Sequence, residues 1–361
     1  MSENPYEQLA LQLDALPNGY PATESGVELD LLATMFSPDE AALTAQLKVP
    51  LETAVQIAGR TGGDLETVTR LLKGLAKRGF IRTGRAEDGR GYGLLPFVVG
   101  IYEAHLGQLS ENQARLFENY YRQVFGHTLT IKPQLHRVIP VNESVSVDME
   151  IHPYESVTSI VDQAQSWGVI NCICRQQKAM IGEACEHPVD VCLILNKRPH
   201  AYDGRAGIRA LTHDEALATL QRATDAGLVH TVSNDQHGTH YVCNCCTCSC
   251  GFLRGMADLG IANVVARSAF VNQVDEELCM GCEDCLDACQ FDALAISEDS
   301  FIVEVNKQRC VGCGVCVPTC STEAMGLVRR PADEVKAVPS NIIEWGMERA
   351  AVRGLDLTQL M

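Results

Sequence analysis

CMGCEDCLDAC (279–289) and CVGCGVCVPTC (310–320) are one pattern, C-x2-C-x2-C-x3-C, written 31 residues apart. The copies agree at all four cysteines, and the match runs beyond them. Met280-Gly281 recurs as Val311-Gly312, and Asp292-Ala293-Leu294 as Glu323-Ala324-Met325. Self-similarity at a fixed offset points to a duplicated supersecondary unit. The rest of the chain is read outward from this repeat.

Three cysteines at intervals of three residues wrap one cubane, because each thiolate must reach a different iron. The fourth starts a segment that leads away to the other cluster. The spacing therefore predicts one 4Fe-4S cluster on Cys279, Cys282, Cys285 and Cys320, and a second on Cys310, Cys313, Cys316 and Cys289. Gly281, Gly312 and Gly314 suit tight loops whose N–H groups face cluster sulfurs. Zinc sites more usually show two separated C-x2-C pairs. The segment resembles the bacterial two-cluster ferredoxin domain over about 60 of the 361 residues. It departs from that pattern after each fourth cysteine, where Gln290 and Ser321 stand in place of proline.

A chain of 361 residues suggests two or three domains. The chain has 17 cysteines. The start, Met1 to Leu16, carries Glu3, Glu7 and Asp14 and no basic leader region, and no apolar run reaches membrane-spanning length. A cytoplasmic location is expected, and there such cysteine usage points to metal or redox chemistry, not disulfides. The net charge of −17 weighs against nucleic acid as a partner, and the lack of a long apolar run against membrane insertion. The charge is uneven: 60–95 holds eight Lys/Arg against four Asp/Glu, and 271–330 holds four against eleven. An acidic ferredoxin face suits a basic redox partner; a merely solvated face fits the same counts.

The expected class is α+β, in five segments: 1–96 winged-helix-like, 97–150 a helical connector, 151–265 a cysteine-rich middle domain, 266–330 the two-cluster domain, and 331–361 a helical tail. Residues 1–25, with Pro5, Pro17 and Pro21, read as an extended lead-in. Helices are expected over Glu24–Phe36, from the Ser37-Pro38-Asp39-Glu40 start, over Leu51–Arg60, and from Asp64 to Arg78. A hairpin, Phe80–Thr83 with Tyr92–Leu95, would follow. That order resembles a winged helix over 37–96. Its DNA-binding reading would use Arg70, Lys73, Lys77, Arg82, Arg85 and Arg90. Asp64 and Glu66 at the helix start favour a structural or protein-docking role instead. Val138–Val147 is expected to be extended and Glu155–Trp167 helical. A strand over Val191–Leu195, a helix from Thr212 and a hairpin of Leu228–Ser233 with Thr239–Cys243 complete the middle domain.

Nine cysteines lie in that domain: Cys172, Cys174, Cys185, Cys192, Cys243, Cys245, Cys246, Cys248 and Cys250. They suffice for two four-ligand clusters with one over; one cluster plus further thiols fits equally. Pairs two apart, Cys172 with Cys174 and Cys246 with Cys248, are expected to face different sites unless the chain turns sharply. A further Fe–S cluster is the leading reading, with a zinc site and structural thiols as alternatives. Arg175 is a candidate to offset cluster charge or bind an anion. His187, His230, His237 and His240 read most simply as loop and strand-end residues. The pairing of NCICR (171–175) with CNCCTC (243–248) resembles an uncharacterised group of Fe–S proteins from anaerobic metabolism. No dinucleotide fingerprint or phosphate loop appears.

The function expected is single-electron transfer, alone or as a subunit of a larger oxidoreductase. Two alternatives stand beside it: an enzyme with a substrate-binding middle cluster, and a redox-responsive winged-helix regulator. No motif marks a catalytic residue.

Overall fold

The computed structural model describes residues 4–144 and 149–360, so the end of the expected stretch Val138–Val147 lies outside the described residues. Contacts group the chain into two units, Met1–Ile131 with Gly346–Met361, and Lys132–Trp345. Among the described residues no helix is long and apolar enough to cross a membrane.

The first unit is mostly helical. Its lead-in is not extended: Pro5–Asp14 is a helix capped by the Asn4 side chain, with Leu9 and Leu13 buried. Pro5 occupies the first helical position, where its missing N–H costs nothing. Helices Val27–Met35 and Pro38–Thr44 follow, the second closed by a reciprocal Ser37–Glu40 box. Strand Glu52–Thr53 leads into helix Ala54–Thr61, and Asp64 caps helix Leu65–Arg78. Val68, Leu72 and Leu75 line the buried face of that last helix. Strands Arg82–Ala86 and Gly89–Gly93 form a hairpin whose second strand also pairs with Glu52–Thr53. The aromatic run after 97 enters the core, with Tyr102 stacked on Phe117 at 3.9 Å. Helix Ile342–Arg353 contributes Arg349, fully buried, which donates to the carbonyls of Pro17, Thr128 and Ile131.

The second unit centres on a six-stranded antiparallel sheet. Its order is His136–Ile139, Val229–Ser233, Tyr241–Cys245, Cys192–Asn196, Ser166–Ile170 and Arg209–Leu211. Helices Val157–Asp162 and His213–Asp225 bury one face, packing Ile160 and Leu220 on Leu193, Leu195, Val232 and Val242. The helix expected over Glu155–Trp167 is thus only six residues long. Ser156 caps it, and Trp167 belongs to a strand, opposite Leu195 and Leu211. Tryptophan and the β-branched residues after it favour a pleated, half-buried surface.

The C-terminal part of this unit carries the repeat into three dimensions. Strand Phe270–Val274 pairs with Met325–Arg329, and Leu294–Ile296 with Val303–Val305. The hydrogen bonds repeat with the same 31-residue offset. Asp275 N–H donates to Ala324 C=O, and Asn306 N–H to Ala293 C=O, each 2.8 Å. Cys279 N–H reaches Asp275 C=O at 3.0 Å, and Cys310 N–H reaches Asn306 C=O at 2.9 Å. The two copies therefore exchange partners about a pseudo-twofold axis.

Candidate metal centres

Cysteine loops form first from backbone constraints. Gly312 has φ +72°, and a Cβ there would lie 2.1 Å from the Phe270 carbonyl oxygen. Its counterpart Gly281, φ +65°, would place one 2.3 Å from the Phe301 carbonyl oxygen. Only glycine allows so close a backbone approach. Around the first loop, Cys285 has Cys282, Cys320 and Cys279 as neighbours, and burial pushes its thiol up to about 11. Around the second, Cys313 neighbours Cys310 and Cys289, and burial pushes it up to about 12. Cys316, raised by burial, neighbours Cys313, Cys289 and Cys310. Each fourth cysteine thus neighbours cysteines of the other copy, Cys320 near Cys285, and Cys289 near Cys313 and Cys316.

The two quartets differ in exposure. Cys282 is exposed, and Met280 beside it is 72% exposed, as is Phe301. In the second copy Val311 is 3% exposed, and the Val141 N–H donates to the Cys313 carbonyl at 2.9 Å. Buried Asn272 donates its amide to Cys316 Sγ at 2.9 Å, and the Ala293 N–H faces Cys289 Sγ at 3.4 Å. Donors aimed at sulfur, left-handed loops and four thiols per set fit a 4Fe-4S cluster in each.

Strand parity separates the middle cysteines where the chain passes from strand to loop at Cys245 and Cys246. Residues of Tyr241–Cys245 alternate faces, and Val242 joins the helix-covered core. Cys246 clusters with Ala223, Leu228 and Cys185 on the helix His213–Asp225 side. Cys243 and Cys245 belong to the other parity. The register Leu193↔Val242 continues to bring Cys192 beside Cys243. Six thiols close a ring by successive contacts: Cys172–Cys174, Cys174–Cys250, Cys250–Cys245, Cys245–Cys243, Cys243–Cys192 and Cys192–Cys172. Hydrogen bonds from Cys174 and Cys192, then the charge of Arg175, hold Cys172 well below the ordinary thiol value. Cys174 and Cys192 are raised in turn, chiefly by Cys172.

The remaining three, Cys185, Cys246 and Cys248, converge with His187, their ligand atoms all within 4.8 Å of one another. Pairs two apart share a set because the chain turns at each, Cys172 standing at the cap of helix Ile173–Met180 and residues 247–249 forming a turn. Cys172 and Cys174 share the ring, and Cys246 and Cys248 share the second set. It is adjacent residues, Cys245 and Cys246, that part. His187, which reads in the sequence most simply as a loop residue, is instead a member of this set; its C-x-H spacing from Cys185 is the signal that favours a zinc site.

Arg175 stands between the two sets, 3% exposed. It donates to the carbonyls of Pro188 and Asn244 and to Cys246 Sγ at 3.4 Å. Burial opposes its charge, but the thiols of Cys172 and Cys246 outweigh burial and raise its pKa. Of the other histidines, His230 is buried, with its ring nitrogens hydrogen-bonded to Asn244 and Thr224. His136, unremarked in the sequence, is buried, stacked on Phe252 and hydrogen-bonded to Tyr241 and Thr231.

Gln290, which stands where the resembled pattern has proline, has its own task. Its Oε1 accepts the Thr247 N–H at 2.8 Å and its Nε2 donates to the Gly227 carbonyl. The residue after Cys289 thereby touches the residue between Cys246 and Cys248.

No curated protein and no solved structure matches the chain. Residues 278–324 match a family model described as a 4Fe-4S dicluster domain, so this part of the chain is a ferredoxin-type iron–sulfur domain.

Proposed function

We propose that the chain is an iron–sulfur electron-transfer protein, or the electron-transfer subunit of a larger oxidoreductase. Cys279, Cys282, Cys285 and Cys320 would hold an outer 4Fe-4S cluster, and Cys310, Cys313, Cys316 and Cys289 an inner one. The ring of Cys172, Cys174, Cys192, Cys243, Cys245 and Cys250 would hold a further cluster. Such clusters, when bound, take up and release single electrons. The observation that carries the proposal is the unequal burial of the two repeats. Met280 and Phe301 present an apolar contact beside the outer quartet, and Glu276, Glu277, Glu283 and Asp284 are exposed on the same cysteine loop and its approach. That surface suits a redox partner with a basic rim. Val141 and Gln290 fasten the inner quartet to the middle sheet. The six-thiol ring has more donors than a cubane takes, which supports a relay over an iron left open for substrate. Residues 37–96, in winged-helix-like order, would serve as a protein-docking module.

The test is an anaerobic iron and sulfide count on the full chain with EPR during stepwise reduction. About twelve irons are expected, four per cluster. Cys279→Ser should remove about four and slow reduction of the remainder by a protein donor. An iron content that stays below eight after anaerobic reconstitution, or zinc in the quartets, overturns the reading.

A further inference from the structure

We propose that Cys185, His187, Cys246 and Cys248 bind a single tetrahedral zinc ion that clasps the ferredoxin segment to the middle sheet. The distances decide between an ion and a cluster. Zinc with Zn–S of about 2.3 Å and Zn–N of about 2.0–2.1 Å places sulfurs about 3.8 Å apart and S···N about 3.5 Å in a tetrahedron. The Cys185 and Cys246 sulfurs are 4.0 Å apart, and Cys248 Sγ lies 3.7 Å from His187 Nδ1. A cubane puts each thiolate on its own iron and spreads the sulfurs wider than this. Three thiolates and one neutral imidazole are also a common zinc donor set.

The surroundings match. Ser249 Oγ donates to Cys185 Sγ at 3.3 Å, and Arg175 donates to Cys246 Sγ at 3.4 Å. Three thiolates on a divalent ion leave one negative charge, which the buried guanidinium of Arg175 offsets. Zinc has no redox chemistry, so the site is an anchor and not a relay station. Its place fits that role. Thr247, between two of the ligands, gives its N–H to Gln290, next to Cys289. Fixing Cys246 and Cys248 therefore fixes the segment on which the inner quartet rests.

The test is elemental analysis of the full-length, anaerobically purified protein and three variants. Wild type should carry one zinc per chain. Cys248→Ser, at an exposed position, and His187→Ala should lose most of it while keeping their iron. His187→Cys should regain it. Cobalt taken up in place of zinc should show tetrahedral ligand-field bands that vanish in Cys248→Ser. Wild type without zinc overturns the proposal. So does zinc unmoved by both losses, or a loss of about four irons in Cys248→Ser.

Discussion

Gly312→Ala, paired with Gly207→Ala, separates the cost of a left-handed backbone from that of a blocked approach. Both glycines have positive φ, +72° and +79°, and both lie in the second unit. Nothing stands within 4 Å of a Cβ at Gly207. There alanine meets only the conformational term, about 1–2 kcal/mol. At Gly312 the new Cβ would stand 2.1 Å from the Phe270 oxygen, so reaching ordinary contact at 3.4 Å needs a shift of 3.4 − 2.1 = 1.3 Å. That oxygen already accepts from buried Arg330 at 3.0 Å, a charged hydrogen bond worth about 1.5–3 kcal/mol. Gly312→Ala should therefore cost about 3–5 kcal/mol. At about 2–4 °C per kcal/mol for a unit of this size, its melting midpoint should fall by roughly 10 °C, against about 4 °C for Gly207→Ala. The assay is anaerobic thermal denaturation with an iron count, in which Gly312→Ala also loses the iron held by Cys310, Cys313, Cys316 and Cys289. Equal melting of the two variants, with iron intact, would refute the reasoning.

Four further outcomes are expected. Gln290→Ala should keep its iron but lose about 1–3 kcal/mol and slow electron passage into the middle domain in stopped-flow; unchanged kinetics would count against the junction. Burial lowers His136 to about 3, while the unfolded chain takes its proton near 6.5. Its contribution is therefore intact above pH 6.5 and declines toward pH 3, by at most about 1.4 kcal/mol per pH unit, so urea midpoints should show a shallower acid slope in His136→Gln. Arg349→Met leaves three carbonyls without their donor and should destabilise the first unit by about 3 kcal/mol or more, read by thermal melting. Titration of a labelled duplex with the full chain at low salt should show no sequence-specific binding, since Asp64 and Glu66 open the helix that would enter the groove.

The repeat was legible because its geometry is local: four cysteines within eleven residues, with glycines where the loops turn left-handed. Capped helices such as Leu65–Arg78 were legible for the same reason, since Asp64, Gly79 and the apolar stripe lie within one window. The partition of the middle cysteines was not. It depends on which face each residue of Tyr241–Cys245 presents, and strand parity separates neighbours while uniting residues two apart. Contacts such as Cys174 with Cys250, or Cys185 with Cys246, depend on sheet order, which no local window contains. Helix Pro5–Asp14 was missed because its proline was weighed as a breaker and not as an opening residue.

The peptide bond between Cys245 and Cys246 has a consequence for biogenesis. Its two side chains go to different sets, one to the six-thiol ring and one to the quartet with His187. Whatever fills either set during maturation fixes the backbone that presents the other. On the proposed reading, a donor ordered in one set would pre-position its neighbour for the other, so each set could fill by itself and ease the filling of the next.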